Sequence, residues 1–166
     1  MRDTDRHIIT RRKNDFMIKW HVGVLNDLSS EELYKVAYER IRTFVIAQDR
    51  IYQEIDEIDP IARHVLGFRG DRLVAYARIF RENGHVTFGR VLTIPEVRGQ
   101  GVGRQLIGQI EAEIQRHYAG ELISIEAQID KRGFYEKFGY HALGTVFNFN
   151  GSPHIRMDKT ALRMAE

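Results

Sequence analysis

Cysteine is absent from the 166 residues. That excludes disulfides, thiolate metal ligands and a covalent thiol nucleophile, and it points to a reducing, cytoplasmic setting. No stretch resembles a signal peptide or a membrane span, so no membrane association is expected. The seven histidines show neither an HExxH pattern nor any other metal-ligand spacing, and no metal site is expected. An excess of basic charge over the body of the chain is also missing. Five basic residues (Arg2, Arg6, Arg11, Arg12, Lys13) against three acidic ones (Asp3, Asp5, Asp15) account for the whole net charge of +2. The basic surplus is therefore a polar extension over residues 1–16, expected to be loosely ordered, with Met17 an alternative start. Aromatic and basic residues are scattered without a recognition helix or an RNA-binding signature, so nucleic acid is not an expected partner. What remains is 43% hydrophobic content, enough for one core, and one domain is expected over residues 17–166.

The organisation follows from periodicity. "MIKWHVGVL" alternates as a strand. Ser29 with Glu32 forms a capping box ahead of a helix carrying Leu33, Val36, Ala37, Ile41 and Phe44. "AQDRIYQEIDEIDP" then reads as a short helix or loop, and its carboxylates as a surface acidic run. Three strands follow from Arg63. Asn83-Gly84 signals a two-residue type I′ hairpin, which pairs Glu82 with His85, Arg78 with Gly89 and Ala77 with Arg90. In that register Arg78 and Arg90 point to opposite faces and cannot form one clamp. A helix to about Tyr118, a buried strand, a short helix around "RGFYEKFGY" and two strands joined by "GSP" complete the chain. A strand, helix and strand over residues 86–129 imply one parallel crossover in an otherwise antiparallel sheet.

The most informative stretch is "IPEVRGQGVGRQL", residues 94–106, with Gly99, Gly101 and Gly103 at alternate positions. A strand, a glycine-rich turn and a helix N-terminus make an anion site, because unpaired N–H groups converge there and glycine lets a ligand approach the backbone. A P-loop lacks its Gly-Lys-Ser/Thr, and the third glycine of a dinucleotide fingerprint falls on Arg104. The alternative is a turn that packs a helix tightly on a sheet.

"VLTIPEVRGQGVGRQLI" resembles the acetyl-CoA signature of the GNAT N-acetyltransferase superfamily, through Arg98, Gly101 and Gly103. "GFYEKFGY" is similar to that family's downstream Phe-Tyr segment. "RHVLGF", "LVAYARI", "GRV", "PHIRM" and "YQEID" resemble its ElaA-like branch. The resemblance runs from about Met17 to Met157. It implies an α/β (α+β) acyl-CoA N-acyltransferase fold, with a mixed, mostly antiparallel sheet of about seven strands flanked by about four helices. It also implies transfer of an acetyl group from acetyl-CoA to a primary amine of a small molecule or protein. Cofactor contacts would come from Leu92, Thr93 and Ile94 of the preceding strand, with an exposed N–H near Leu92, and from Arg98, Gly99, Gln100, Gly101, Val102, Gly103 and Arg104 of the turn.

Direct attack on the thioester suits a chain without cysteine. Tyr135 matches the tyrosine that relatives aim at the sulfur, as hydrogen-bond donor to the leaving thiolate; the alternative is a core tyrosine. Relatives of the ElaA-like branch carry a glutamate where this chain has Ala47, so the base is open. Asp56 and His64 are the catalytic candidates, with Glu54 and His154 also near the expected cleft. Gln48, Tyr52, Arg78 and His154 are candidates for substrate binding. Dimers among relatives imply a homodimer. A sensor or interaction domain that binds CoA without transfer is the competing reading.

Overall fold

The computed structural model describes residues 17–160, and the polar head expected over residues 1–16 lies outside the described residues. Alternation at Trp20, Val22 and Val24 forms β1 (Lys19–Val24). The capping box then starts α1 (Ser30–Arg40): Ser29 Oγ accepts from the Glu32 N–H at 3.1 Å, and Glu32 Oε2 accepts from the Ser29 N–H at 2.8 Å. The helix continues as a π-helical turn over Ile41–Ile46, and the Ala47 N–H donates five residues back to Arg42 O.

Residues 50–62 form turns with no helix, because their acidic side chains fold inward onto arginines instead of lining a helical ladder. They lead into β2 (Arg63–Arg69), β3 (Arg72–Glu82) and β4 (His85–Thr93). Leu73 through Ile79 is buried at every position, so both faces of β3 are covered. α1 and α2 (Val102–His117) both pack on it. Burial of Val102, Leu106, Ile107, Ile110 and Ile114 along one side of α2 contributes about 1.5–3 kcal/mol for each of the larger side chains.

β5 (Ile123–Gln128), α3 (Arg132–Glu136), β6 (His141–Phe149) and β7 (Ser152–Lys159) complete a seven-stranded sheet of order β1-β2-β3-β4-β5-β7-β6. The architecture is the expected α/β (α+β) sheet of seven strands, with three α-helices among the described residues. The last hairpin turns at Asn150-Gly151, with φ of 47° and 79°, and not at "GSP". An Asn-Gly type I′ turn outcompetes the proline here. Pro153 sits one residue beyond the last β5 partner, where its missing N–H is tolerated.

Two details shape the site. β4 and β5 are parallel, as expected, but their only registered pair is Val86 with Ile123, and they diverge beyond it. The register between β3 and β4 also slips by one residue between Tyr76 and Arg78. Two residues of β4, Arg90 and Val91, therefore lie opposite Ala77, and Arg90 takes a left-handed φ of 53°.

Candidate active site

Divergence of β4 and β5 opens a cleft of about 1600 Å³, lined on one wall by Phe88–Thr93 and on the other by Ile125–Gln128. That exceeds the roughly 300–1,000 Å³ of a pocket for one small molecule. The cleft is larger than one small ligand needs.

The glycine turn stands at one end. Gly99 and Gly101 take φ of 75° and 77°, a conformation that favours glycine, and a Cβ at either would point into open space. Gly101 caps α2 without a side-chain hydrogen bond, and the first intrahelical bond runs from the Gln105 N–H to Gly101 O. The N–H groups of Val102, Gly103 and Arg104 consequently have no intrahelical acceptor. Arg69 holds Gln100 Oε1 at 3.0 Å, while Gln100 Nε2 donates to Glu96 O, so the turn is pinned from behind. Arg98 and Gly103 line the cleft, whereas Arg104 stacks over Phe138. These features fit a phosphate-bearing cofactor.

The strand before the turn needs one correction. The Ile94 N–H donates to Val74 O at 3.0 Å, so strand alternation directs the Leu92 N–H to β3 as well, toward its partner Tyr76. Thr93, between them, presents its N–H and C=O to the cleft, and Arg98 Nε meets that carbonyl at 3.3 Å. The exposed donor is one residue along from the expected place.

Tyr135, on α3, lines the cleft with its ring edge-on to Phe134 and Tyr140. Its hydroxyl makes no hydrogen bond among the described residues. Burial pushes its pKa well above the ordinary value, so it stays a phenol at neutral pH. His154 also lines the cleft. Its Nδ1 lies 2.9 Å from Ser152 O, and since a carbonyl only accepts, Nδ1 carries the proton. In the neutral ring Nε2 then holds a lone pair.

The other two catalytic candidates are occupied elsewhere. His64 is buried with both nitrogens engaged: Nε2 donates to Asp59 O at 2.9 Å, and Nδ1 accepts from the Tyr76 hydroxyl at 2.7 Å. It does not line the cleft. Asp56 does, but it accepts from Arg78 Nη1 and Nη2 at 2.5 and 2.9 Å and lies 3.4 Å from Arg90 Nη2. Burial opposes its ionisation, yet the Arg78 hydrogen bonds and charge win and hold its carboxyl below the ordinary range. It is a poor base.

The acidic run is not a surface loop. Glu54 and Asp59 are buried: Arg40 reaches Glu54 Oε1 at 2.7 Å and Asp59 Oδ1 at 2.5 Å, and Arg78 adds Asp59 Oδ1 at 3.0 Å. Arg90 Nε lies 2.6 Å from Glu54 Oε2, without its N–H aimed at the oxygen. Arg78 and Arg90 thus converge on Asp56, contrary to the opposite-face expectation, because the left-handed residue at the bulge turns the Arg90 side chain over. Three arginines face three carboxylates in this network.

Gln48 and Tyr52 both line the cleft. Tyr52 donates to Glu54 Oε2 at 2.6 Å; burial, with that hydrogen bond and charge, pushes its pKa up to about 12. Gln48 Oε1 accepts from Gln128 Nε2 on the opposite wall and from Arg50 Nη1, each at 3.0 Å. Arg50 is the residue that the sequence reading misses. Nothing in its local sequence separates it from any other arginine of a polar stretch.

A splayed parallel pair with a glycine turn at a helix N-terminus, and a free tyrosine between the walls, defines a scaffold of the acyl-CoA transferase class. The acetyltransferase (GNAT) domain family matches residues 24–161. The chain belongs to the GNAT acetyltransferase family, on its ElaA-like side. It is 34% identical to protein ElaA of Escherichia coli over 152 residues, covering 89% of this chain and 99% of that protein. The crystal structure of that relative matches with a TM-score of 0.82 over 86% of this chain and 99% of its own. An acyl-CoA N-acyltransferase from Pseudomonas aeruginosa, 30% identical, gives 0.82 over 87% and 100%. An aminoglycoside 6'-N-acetyltransferase complexed with coenzyme A is 17% identical and shares the fold, with a TM-score of 0.67 over 88% of this chain and 99% of its own.

Proposed function

We propose that the protein moves an acetyl group from acetyl-CoA to a primary amine by direct attack in a ternary complex. The observation that carries this reading is the single cleft that joins the open glycine turn to an unengaged Tyr135 hydroxyl. The pyrophosphate rests on the N–H groups from Gly99 to Arg104, and the pantetheine arm runs along Thr93 as an added strand. His154 Nε2 takes the proton of the attacking amine, and Tyr135 hydrogen-bonds the departing thiolate. An ordinary ammonium has pKa about 10.4 and a thiol about 8.5, so a proton acceptor for the amine and a hydrogen-bond donor to the thiolate both assist at neutral pH. That a protein of the same fold, the aminoglycoside acetyltransferase, is complexed with coenzyme A supports a CoA-borne donor. The lack of cysteine supports a cytoplasmic location. A homodimer would form at the open edge, where β6 exposes Leu143 and Val146; light scattering that shows only a 19.4 kDa species removes it.

The test is calorimetric titration of acetyl-CoA. Micromolar binding is expected for wild type and its loss for Gly101→Glu, which sets a carboxylate where phosphate should lie. Gly101→Asn, which tolerates the left-handed backbone, controls for strain and retains binding. No binding by wild type removes the transferase reading.

A further inference from the structure

Four arginines surround the acceptor end of the cleft, and only one has no acid. Arg40, Arg78 and Arg90 are matched by Glu54, Asp56 and Asp59. Arg50 is 9% exposed and lines the cleft. Every partner of its guanidinium is a neutral oxygen: Asn150 O at 2.7 Å, Phe149 O at 3.0 Å and Gln48 Oε1 at 3.0 Å. No carboxylate pairs with it among the described residues. Its guanidinium carbon lies over the Tyr52 ring, 4.9 Å from the ring centre.

A guanidinium carries five N–H donors, and these bonds engage three. A cation so far removed from water, without a counter-charge, is costly to hold. An anion entering the cleft offsets that cost, and a carboxylate matches the planar fork. The same residue connects to the proposed base. Phe149, whose carbonyl accepts from Arg50, packs its ring edge-on to His154 at 5.3 Å between centres. The charge and the lone pair therefore flank one end of the cleft.

We propose that the acceptor is an amine that also bears a carboxylate, and that Arg50 binds this carboxylate. This rests on the transferase reading and names its substrate class. Arg50 grips the β6–β7 turn, whereas the cofactor turn opens α2, so its free donors serve the acceptor and not the phosphates of the donor.

Matched acceptors test it: β-alanine and the standard α-amino acids against their amides, each with acetyl-CoA, with CoA release and product mass as readouts. Wild type is expected to prefer the carboxylates by about 10- to 100-fold in kcat/KM, mainly through KM, as the loss of one charge-assisted contact would predict. In Arg50→Gln the ratio falls to within about twofold while acetyl-CoA binding stays. Arg50→Lys, which keeps the charge without the fork, lies between. Equal rates for wild type on acids and amides overturn the proposal without any variant. So do acetylation of plain amines alone, a preference that survives in folded Arg50→Gln, and loss of acetyl-CoA binding in that variant, which assigns the charge to the donor. Failure of wild type to bind acetyl-CoA removes the transferase reading instead, and this proposal with it.

Discussion

At the scale of single residues, the decisive variable is which groups are already engaged. Asp56 and His64 have the right chemistry for a base, but one is held by Arg78 and Arg90 and the other donates and accepts within the core. His154 and Tyr135 keep a free atom at the cleft. Tyr135→Phe removes only the hydroxyl, so acetyl-CoA binding should stay within about twofold while kcat falls by about 10²-fold, the lower range for positioned proton donors. Steady-state kinetics of the variant checks this, and an unchanged kcat would return Tyr135 to the role of a core tyrosine. Ala47 also lines the cleft and offers no such atom.

Elements position these atoms through their ends and irregularities. The bulge at Arg90 reverses one side chain, and the π turn after α1 carries Gln48 and Arg50 to the cleft. Glycine marks the places where the chain turns, but not everywhere. Gly84 has φ of 79° in the β3–β4 hairpin, so Gly84→Ala should cost about 1–2 kcal/mol. Gly108 lies in the body of α2, with ordinary φ and open space at its Cβ. Gly108→Ala should therefore stabilise by about 0.5–1 kcal/mol. Urea unfolding of the two variants reads the opposite signs, and a loss at both positions would refute the helical argument.

For the whole molecule, the buried ion network makes stability depend on pH in two stages. Burial, aided by the charges of Arg40 and Arg78, keeps His64 below its ordinary value of 6.5 despite the Asp59 carbonyl and charge. The unfolded chain binds that proton first, so stability declines as pH falls below about 6.5. Asp56 and Asp59 are held below their ordinary 3.8, because their arginine partners outweigh burial. Their contribution is complete above that value and is lost as pH falls through the lowered ones. Urea midpoints between about pH 7.5 and 3 should show a shallow decline and then a steep one. His64→Gln should flatten the upper part alone. A midpoint unchanged down to about pH 4.5 in wild type would contradict the assignment.

Local chemistry is readable in the chain itself. The capping box at Ser29, the Asn83-Gly84 hairpin, the α2 stripe and the glycine turn each depend on residues within a few positions of one another, so their outcome hardly depends on the rest of the fold. The succession of strands along the chain and the parallel crossover follow from the same patterns, whereas the insertion of β7 between β5 and β6 does not. Three features resist such a reading. A single left-handed residue turns Arg90 to the face of Arg78, and no periodicity announces it. Glu54 and Asp59 resemble a solvated acidic run until three arginines from separate elements bury them. Arg50 stands out only because those acids are taken by others, and that allocation is made by contacts distant in sequence. Burial and pairing are properties of the assembled sheet, which is why the tertiary structure alone decides them.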